Sequence, residues 1–425
     1  MSATLCRGRA PRGAAFALAA ALLLTAPAAR AEAGAGPDSG RAPPAETDVR
    51  DILRTIRHGP PPAPDSSGGA SYRRRMVFVT PVVNYNPVTS VIFGLGVLTS
   101  TFHGDPNSTF PSTVQAGGSV SLEKQISISA KADVYTDRDR WFFQANPAWA
   151  KYPQSIYALG TDSPDSSQVG VYLYIPKFSL SAYRQVLPKL FTGVGLQCVM
   201  RTDIRPSGGF AAIWDRSPFV AYSREHRLDL ERQTSAGVSL NLLFDGRDNP
   251  TNASRGWFAN ASGRAFFKDF LGGSSHWQEL YLDLRHYRSL DRDARHRVAA
   301  WAYSDFVVGG VAPFFDLPAT GAVPRGRAGR GYDGNRFRGE RMAYAELEYR
   351  VTLTRNGLLG AVAFLNTESF GGSQTGSDLF DSFATAGGAG LRILVDKRAK
   401  SNVCFDVGIG KSDSHGLWAG FQESF

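Results

Sequence analysis

From residue 76 to residue 425, apolar and polar residues alternate in short segments. The clearest case is the run 342–353. Its apolar positions are Ala345, Leu347, Tyr349, Val351 and Leu353, and its polar positions are Glu346, Glu348, Arg350 and Thr352. The same period of two recurs in residues 279–285 and 403–410, and Gly, Asn, Asp and Pro separate the segments. Because successive side chains of a strand point to opposite faces, the pattern predicts an all-β protein.

The alternating segments are longer than the strands of most soluble proteins. They run about 10–13 residues, close to the roughly 9–11 that cross a bilayer at a tilt, whereas soluble strands usually have about five or six. Short connections, such as residues 184–188, alternate with long ones, such as residues 309–341. We count about sixteen strands, an even number typical of outer-membrane barrels. The pattern therefore favours a transmembrane antiparallel β-barrel over a soluble sandwich.

The chain before residue 76 has a different character. Residues 1–31 resemble a cleaved secretory signal peptide, because they carry arginines, no acidic residue, an apolar run and a small-residue exit. Residues 32–75 are rich in Ala, Gly, Pro and Ser, which predicts a linker. Helical spacing of four apolar residues predicts a short amphipathic helix near residues 48–57. The four are Val49, Ile52, Leu53 and Ile56.

Charge and reactive side chains argue against several classes of function. The net charge of +9 at pH 7 falls to +5 without the four arginines of residues 1–31, so we expect no nucleic-acid partner. The histidines lack metal-ligand spacing and the chain has no G-x-S-x-G motif. We therefore expect no catalytic residue, no metal, no cofactor and no enzymatic activity. Cys198 and Cys404 lie on strands far apart in the predicted barrel and are predicted to be free.

Three segments carry recognisable motifs. One is the turn Asp245-Gly246-Arg247-Asp248-Asn249-Pro250, followed by Arg255-Gly256-Trp257. Another is residues 330–339, which begin Arg330-Gly331-Tyr332, and the third is the stretch 388–425, which holds Phe421 and Phe425. In this order they resemble the bacterial surface-antigen family, which includes the barrels of BamA, TamA and the two-partner-secretion transporters. The resemblance covers residues 76–425 and implies an outer-membrane barrel domain, with Phe421 and Phe425 in a C-terminal aromatic export signal.

The resemblance also implies a long outer loop between strands 11 and 12 that folds into the lumen. Its Arg330 would pair with carboxylates of the inner wall, and the alternation offers Glu346 and Glu348 on the next strand. Two positions depart from the family pattern. Gly329 replaces the usual aliphatic residue, and Asn366 stands where the family has an aspartate. An amide in place of a carboxylate predicts weaker anchoring of the loop.

The remaining arginines of the basic loop, residues 325–341, are expected to be solvated. On an outer surface they would face lipopolysaccharide phosphates. For the helix near residues 48–57 three placements remain open. It plugs the lumen, as an N-terminal helix does in two-partner-secretion relatives, rests against the periplasmic rim, or stays frayed within the linker.

Two functions are consistent with these features. In the first, the barrel assists insertion or translocation of protein or lipid through a weak seam between its first and last strands. Its partners would be outer-membrane lipid, client polypeptides and a separate periplasmic protein, because residues 32–75 are too short for the POTRA modules of the family. In the second, the chain is a POTRA-less pore or structural surface antigen without client handling. The motif Arg330-Gly331-Tyr332 favours the first.

Overall fold

The computed structural model describes residues 46–58, 76–86, 90–105, 108–122, 124–322, 327–397, 400–412, 414–421 and 423–425. The predicted signal peptide and most of the predicted linker lie outside the described residues. The helices are α1 (Val49–His58) and α2 (Pro218–Glu225). No helix in the described part of the chain is both long enough and apolar enough to cross a membrane.

Seventeen β-strands form in the described ranges. They are β1 (Met76–Asn86), β2 (Ser90–Thr101), β3 (Ser112–Ser121), β4 (Ile126–Tyr135), β5 (Trp141–Ala145), β6 (Ala148–Ile156), β7 (Val169–Leu187), β8 (Leu190–Pro206), β9 (Arg232–Asp245), β10 (Gly256–Phe266), β11 (Trp277–Ser289), β12 (His296–Gly310), β13 (Arg341–Thr352), β14 (Leu359–Gly371), β15 (Ala384–Asp396), β16 (Ser401–Ile409) and β17 (His415–Phe421).

The strands form one antiparallel meander. Strands β5 and β6 both pair with β4 on one side and β7 on the other, so together they occupy a single position in the sheet. They are separated by Asn146 and Pro147, and a proline cannot donate to a strand ladder. Every other strand pairs with its neighbours in sequence, from β1–β2 to β16–β17. The prediction of an all-β barrel with about sixteen strand positions is confirmed.

The two faces of the wall differ as the alternation predicts. In β11, Tyr281 and Asp283 are buried, whereas Leu280 and Leu282 are exposed. Other strands continue this exposed apolar surface, with Val194, Leu240, Leu347, Leu365 and Leu391 among its members. In a membrane barrel this outer surface contacts lipid, and the buried polar face lines the lumen.

Long connections lie at one end of the barrel, at residues 157–168, 207–231, 311–340 and 372–383. The other end has mostly short turns, and β1 begins and β17 ends there. Short turns are typical of the periplasmic side of such barrels, so we call this end the periplasmic rim.

Helix α1 rests on the periplasmic rim. Asp48 and Asp51 cap its first turn by accepting each other's backbone N–H. The N–H of Thr47 donates to the carbonyl of Asn356 at 2.9 Å, and Lys397 Nζ lies 2.7 Å from Asp51 Oδ2. The apolar residues Ile52, Leu53 and Ile56 are exposed. Of the three placements, the structure therefore shows the rim rather than the lumen.

Candidate functional site

The long connection between β12 and β13 carries Arg330 into the barrel, where its side chain is fully buried. Nη1 of Arg330 donates a hydrogen bond to Asp406 Oδ2 at 2.9 Å. Nη2 donates to the carboxylates of Glu346 and Glu348. Three carboxylates from the inner wall therefore surround one guanidinium.

Strand geometry explains this arrangement. Glu346 and Glu348 are two residues apart on β13 and so share a face. Asp406 lies three strands further along the wall, on β16. Between them, Phe364 of β14 presents its ring, whose centroid lies 3.7 Å from Arg330 Cζ. A cation over an aromatic face gains attraction without competing for the carboxylates.

The loop approaches the wall closely because two residues lack side chains. Gly331 has a φ of +111°, and a Cβ there would lie 2.6 Å from the Cβ of Ala386. On β16, a Cβ on Gly408 would lie 2.7 Å from the backbone nitrogen of Gly331. A side chain at either position would push the loop off the wall.

Backbone hydrogen bonds also hold the motif. The Tyr332 hydroxyl donates to the carbonyl of Thr385 at 2.7 Å and accepts from the N–H of Lys411 at 2.9 Å. Asn366 Nδ2 donates to the carbonyl of Arg330 at 2.9 Å. The structure thus differs from the expectation of weak anchoring. The amide at position 366 binds the loop backbone, which an ionised carboxylate cannot do because it has no donor.

Further charges extend the cluster. Arg350 Nε donates to Glu348 at 2.7 Å, and Arg392 donates to Asp406 at 2.5 Å and to Glu423 at 2.8 Å. Burial acts to raise the pKa of Glu423, but the Arg350 and Arg392 guanidiniums hold that pKa below its ordinary value. A buried network of this kind is favourable only when each charge has a partner.

Two more arginines of the basic loop are anchored. Arg336 pairs with Asp165 at 2.5 Å, and Arg338 Nη1 donates to the carbonyls of Phe314 at 3.0 Å and Leu317 at 2.8 Å. Both side chains are buried. The expectation that arginines other than Arg330 would be solvated is therefore wrong for these two. Folding of the loop back onto its own first half supplies carbonyl acceptors that sequence position does not reveal.

An aromatic cap lies at the outer end of the barrel. The ring of Phe219 on α2 packs against Phe314 and Phe315, with centroids 5.9 and 5.1 Å away. Tyr222, also on α2, donates its hydroxyl to the carbonyl of Ala312 at 2.8 Å. The cap joins the connection after β8 to the connection that carries Arg330.

The chain turns inward after β17, which ends at Phe421. Phe425 is buried in the lumen, where its ring centroid lies 5.0 Å from that of Trp301 and 6.2 Å from that of Tyr287. Arg350 Nη2 donates to the Phe425 carbonyl at 3.1 Å. The structure therefore places Phe425 among lumen side chains, and its role in export stays a prediction.

The motif turn between β9 and β10 lies on the periplasmic rim. Arg247 donates to Asp245 at 2.7 Å and to the carbonyl of Pro250 at 3.1 Å. Gly256 has a φ of +112°, which favours glycine. The other motif side chains make local caps: Asp248 accepts from the N–H of Ser254, and Asn249 accepts from those of Thr251 and Asn252. No hydrogen bond or ion pair within the described ranges links this turn to Arg330.

Sequence reasoning missed Asp406 as a partner of Arg330. The signal was present, because the alternation in residues 403–410 places Asp406 on the face opposite to Phe405 and Val407. Cys198 and Cys404 are both buried, and no disulfide joins them. Among the residues that the structure describes, no cluster of three or more His, Cys, Asp or Glu side chains could hold a metal ion.

The seam between β1 and β17 is the weakest junction of the wall. The two strands lie side by side, with Cα atoms within 8 Å. Each is hydrogen bonded on its other side, β1 to β2 and β17 to β16. No ladder joins β1 to β17 in the described part of either strand. The seam therefore lacks the strand ladder that joins the other neighbouring strands of the wall.

The chain resembles solved barrels. BamA from Haemophilus ducreyi lacking POTRA domains 1–3 aligns with a TM-score of 0.53 at 13% identity, over 82% of this chain and 70% of that one. CdiB from Acinetobacter baumannii aligns with a TM-score of 0.52 at 11% identity, over 83% and 60%. CdiB from Escherichia coli aligns with a TM-score of 0.51 at 12% identity, over 82% and 63%.

No protein-family model and no curated protein matches the chain. The structural likeness nevertheless defines the class: the protein is an outer-membrane-type β-barrel. More specifically, it has the barrel fold shared by BamA and CdiB. The chain spans less than two thirds of the length of either CdiB.

Proposed function

We propose that the protein assists the insertion or translocation of polypeptides at the outer membrane and that the seam between β1 and β17 provides the path. The observation that carries this proposal is the seam, where β1 and β17 lie side by side without a ladder, together with buried side chains that occupy the lumen. A substrate that cannot pass along the axis of the barrel has a lateral route through its wall.

The seam has the chemistry that a polypeptide needs. Its two edges present rows of backbone donors and acceptors, and an extended chain satisfies such groups by adding as a strand. In a bilayer this pairing is strongly favoured, because lipid offers no alternative hydrogen-bond partner. A client strand entering here would form a ladder where β1 and β17 form none with each other.

The occupied lumen argues against an open diffusive pore. Arg330 and its three carboxylates lie inside the barrel, and the aromatic cap around Phe219 lies at its outer end. Near the periplasmic end, Phe425 packs on Trp301. These layers come from three separate parts of the chain, so opening one of them leaves the others in place.

The partners follow from this role. Client polypeptides would pair with the seam, and outer-membrane lipid would surround the exposed apolar surface. A separate periplasmic protein would deliver the clients. On the outer face, lipopolysaccharide is the expected neighbour of the long connections.

The test is a folding assay in liposomes that contain the purified full chain. A small outer-membrane β-barrel is added in the unfolded state, and its folded fraction is followed by heat-modifiable mobility on gels. Cysteine pairs are introduced between β1 and β17, and one that forms a disulfide on oxidation is retained. The reduced form of the same variant is then the matched control.

We expect faster client folding than in empty liposomes, lost on oxidation and restored on reduction. Client folding that is no faster than in empty liposomes would contradict the proposal. Single-channel recordings provide a second readout. A large steady current from the wild-type chain would support the pore alternative instead.

A further inference from the structure

A cavity of about 770 Å³ opens at the periplasmic end of the lumen. It lies between the connections 246–255, 290–295 and 353–358, and we call it the mouth cavity. Six basic and three acidic residues line it, so its field is positive. The basic residues are Arg295, Arg297, Arg350, Arg355, Arg392 and Lys400, and the acidic ones are Glu46, Asp293 and Glu423.

Two of the arginines face each other. Arg297 on β12 stands directly opposite Arg350 on β13 in the strand register. Side chains at such positions start from Cβ atoms about 4.5–5.5 Å apart, and like charges there destabilise a sheet. Both residues belong to the inward face, because the register continues through Ala299 and Glu348 to Trp301 and Glu346, all of them buried.

Neither arginine uses all its donors. Arg350 binds Glu348 and the carbonyl of Phe425, but its Nη1 is buried and makes no hydrogen bond within the described residues. Arg297 Nη1 donates to Asn252 Oδ1 at 2.9 Å, whereas its Nε is buried and likewise has no acceptor among them. The Arg350 side chain is only 2% exposed. Its free N–H is therefore buried beside the cavity.

The acidic residues of the cavity either bind other side chains or are exposed to solvent. Glu423 binds Arg392 and Asn402. Glu46 and Asp293 are exposed at the entrance. In the described part of the chain, no carboxylate lies within the 4.0 Å of an ion pair with Arg297. The repulsion between the paired arginines is thus not balanced by a protein anion at Arg297.

We infer that the mouth cavity binds a phosphate group between Arg297 and Arg350. Guanidinium groups present N–H donors in a planar fork that suits phosphate oxygens, and the hydrogen bonds are charge-assisted. A phosphate has several oxygens in tetrahedral arrangement, so it can accept from donors on two strands together. A single planar carboxylate carries less charge than a phosphate and accepts hydrogen bonds from fewer directions. Bound phosphate would convert the like-charge pair into a bridged one.

The phosphate has two sources with the same chemistry, a soluble phosphate or the headgroup of an anionic phospholipid from the inner leaflet. The cavity is far larger than one phosphate ion, which leaves room for the rest of either molecule. The assembly role proposed above is not needed for this site, because binding is measured on the barrel alone.

Binding is measured by calorimetry on the full chain in a maltoside detergent, with inorganic phosphate as the probe. The test variant is Arg297→Gln, which removes one member of the repelling pair and should not impair folding. The matched control is Arg224→Gln on α2, an exposed arginine at the opposite end. Heat-modifiable mobility checks that each variant is folded, and Arg297→Lys replaces Arg297→Gln if the latter is not.

We expect Arg297→Gln to weaken phosphate binding about ten-fold or more, in line with one lost charge-assisted contact, and Arg224→Gln to leave it unchanged. Equal binding by Arg297→Gln and the wild type would overturn the inference, as would acetate that binds as tightly as phosphate. Competition by short-chain phosphatidylglycerol then separates the two sources. If phosphatidylglycerol displaces phosphate at a concentration below the dissociation constant of phosphate, the natural ligand is a lipid headgroup. If it competes more weakly than phosphate binds, the natural ligand is a soluble phosphate.

Discussion

Arg330 and Asp406 are 76 residues apart in the chain, yet their side chains meet at 2.9 Å in the middle of the lumen. The contact joins an outer loop to the second-last strand of the barrel, one strand away from the seam. The residue that anchors the loop therefore lies on the strand next to one edge of the seam. Four predictions follow from this geometry and from the rim.

Removal of the central cation by Arg330→Ala should destabilise the barrel. Three buried carboxylates would lose a shared partner, and breaking a buried ion pair typically costs about 3–5 kcal/mol. The transition temperature in heat-modifiable gels should fall, and the long connection should become sensitive to protease. The exposed Arg224→Ala should change stability by less than about 1 kcal/mol. Unchanged stability and unchanged loop cleavage would show that the cluster does not anchor the loop.

Restoring the family's aspartate by Asn366→Asp should destabilise this protein. The amide of Asn366 donates to the carbonyl of Arg330, and an ionised carboxylate would face that carbonyl with no donor. The expected loss is about 1–3 kcal/mol. Asn366→Ala is the matched control, since it removes the donor without adding charge and should cost less. The thermal midpoint of each refolded variant checks the order, and a stabilised Asn366→Asp would contradict it.

Docking of α1 should depend on pH through Asp51. A hydrogen bond from Lys397 holds the pKa of Asp51 below its ordinary value of 3.8. The interaction is thus fully present above that value and is lost as pH falls through the lower folded-state pKa. Hydrogen exchange of the α1 amides, corrected for intrinsic rates, should speed up in this acidic window.

At neutral pH, Lys397→Gln should reduce protection of α1 about two- to five-fold, as for an exposed ion pair. Asp51→Ala should reduce it further, because Asp51 also accepts the N–H of Asp48 and an alanine offers no acceptor. Protection that is equal in the wild type and both variants would mean that the rim contact does not hold the helix.

Asp139 in the turn between β4 and β5 gives a pH effect of the opposite sign. Burial raises its pKa to about 6, against the opposing effect of a hydrogen bond from the N–H of Phe110. The folded state therefore binds the proton more tightly, and this contribution to stability is present below the ordinary value of 3.8 and is lost as pH rises through about 6.

Asp139→Asn should remove that dependence. An asparagine keeps the acceptor for Phe110 and tolerates the φ of +54° at this position. As the pH rises from about 4 to about 8, the wild type should lose stability relative to the variant. Thermal midpoints of both proteins across this range provide the measurement, and parallel curves would argue against a titrating Asp139.

The sequence was sufficient for the strands and for their two faces. The period of two is a local property of the chain, and the length of each segment reflects the thickness of a bilayer. The same alternation placed Glu346 and Glu348 on the inner face, and the family resemblance of the motif around Arg330 implied which loop folds inward. The carboxylate partners that lie close to Arg330 in sequence were therefore predictable, and the distant one was not.

The other half depended on the closed shape. Asp406, Arg392 and Glu423 reach the cluster because the curved wall and the inserted loop bring β15, β16 and the segment after β17 close to the inward side chains of β13. No local pattern specifies which inward charges meet across a barrel, since that depends on strand number, tilt and the path of the loop.

What the sequence by itself determined is the local pattern of this protein: strand length, inward and outward faces, and tight and long connections. The arginine that enters the lumen was indicated by a family resemblance. Only the tertiary structure decided the donor role of Asn366, the seat of α1 on the rim, the inward turn of Phe425 and the opposition of Arg297 and Arg350. The reason is physical. Periodicity follows from neighbouring residues on one strand, whereas hydrogen bonds and charge pairs follow from distances that exist only after the sheet has closed.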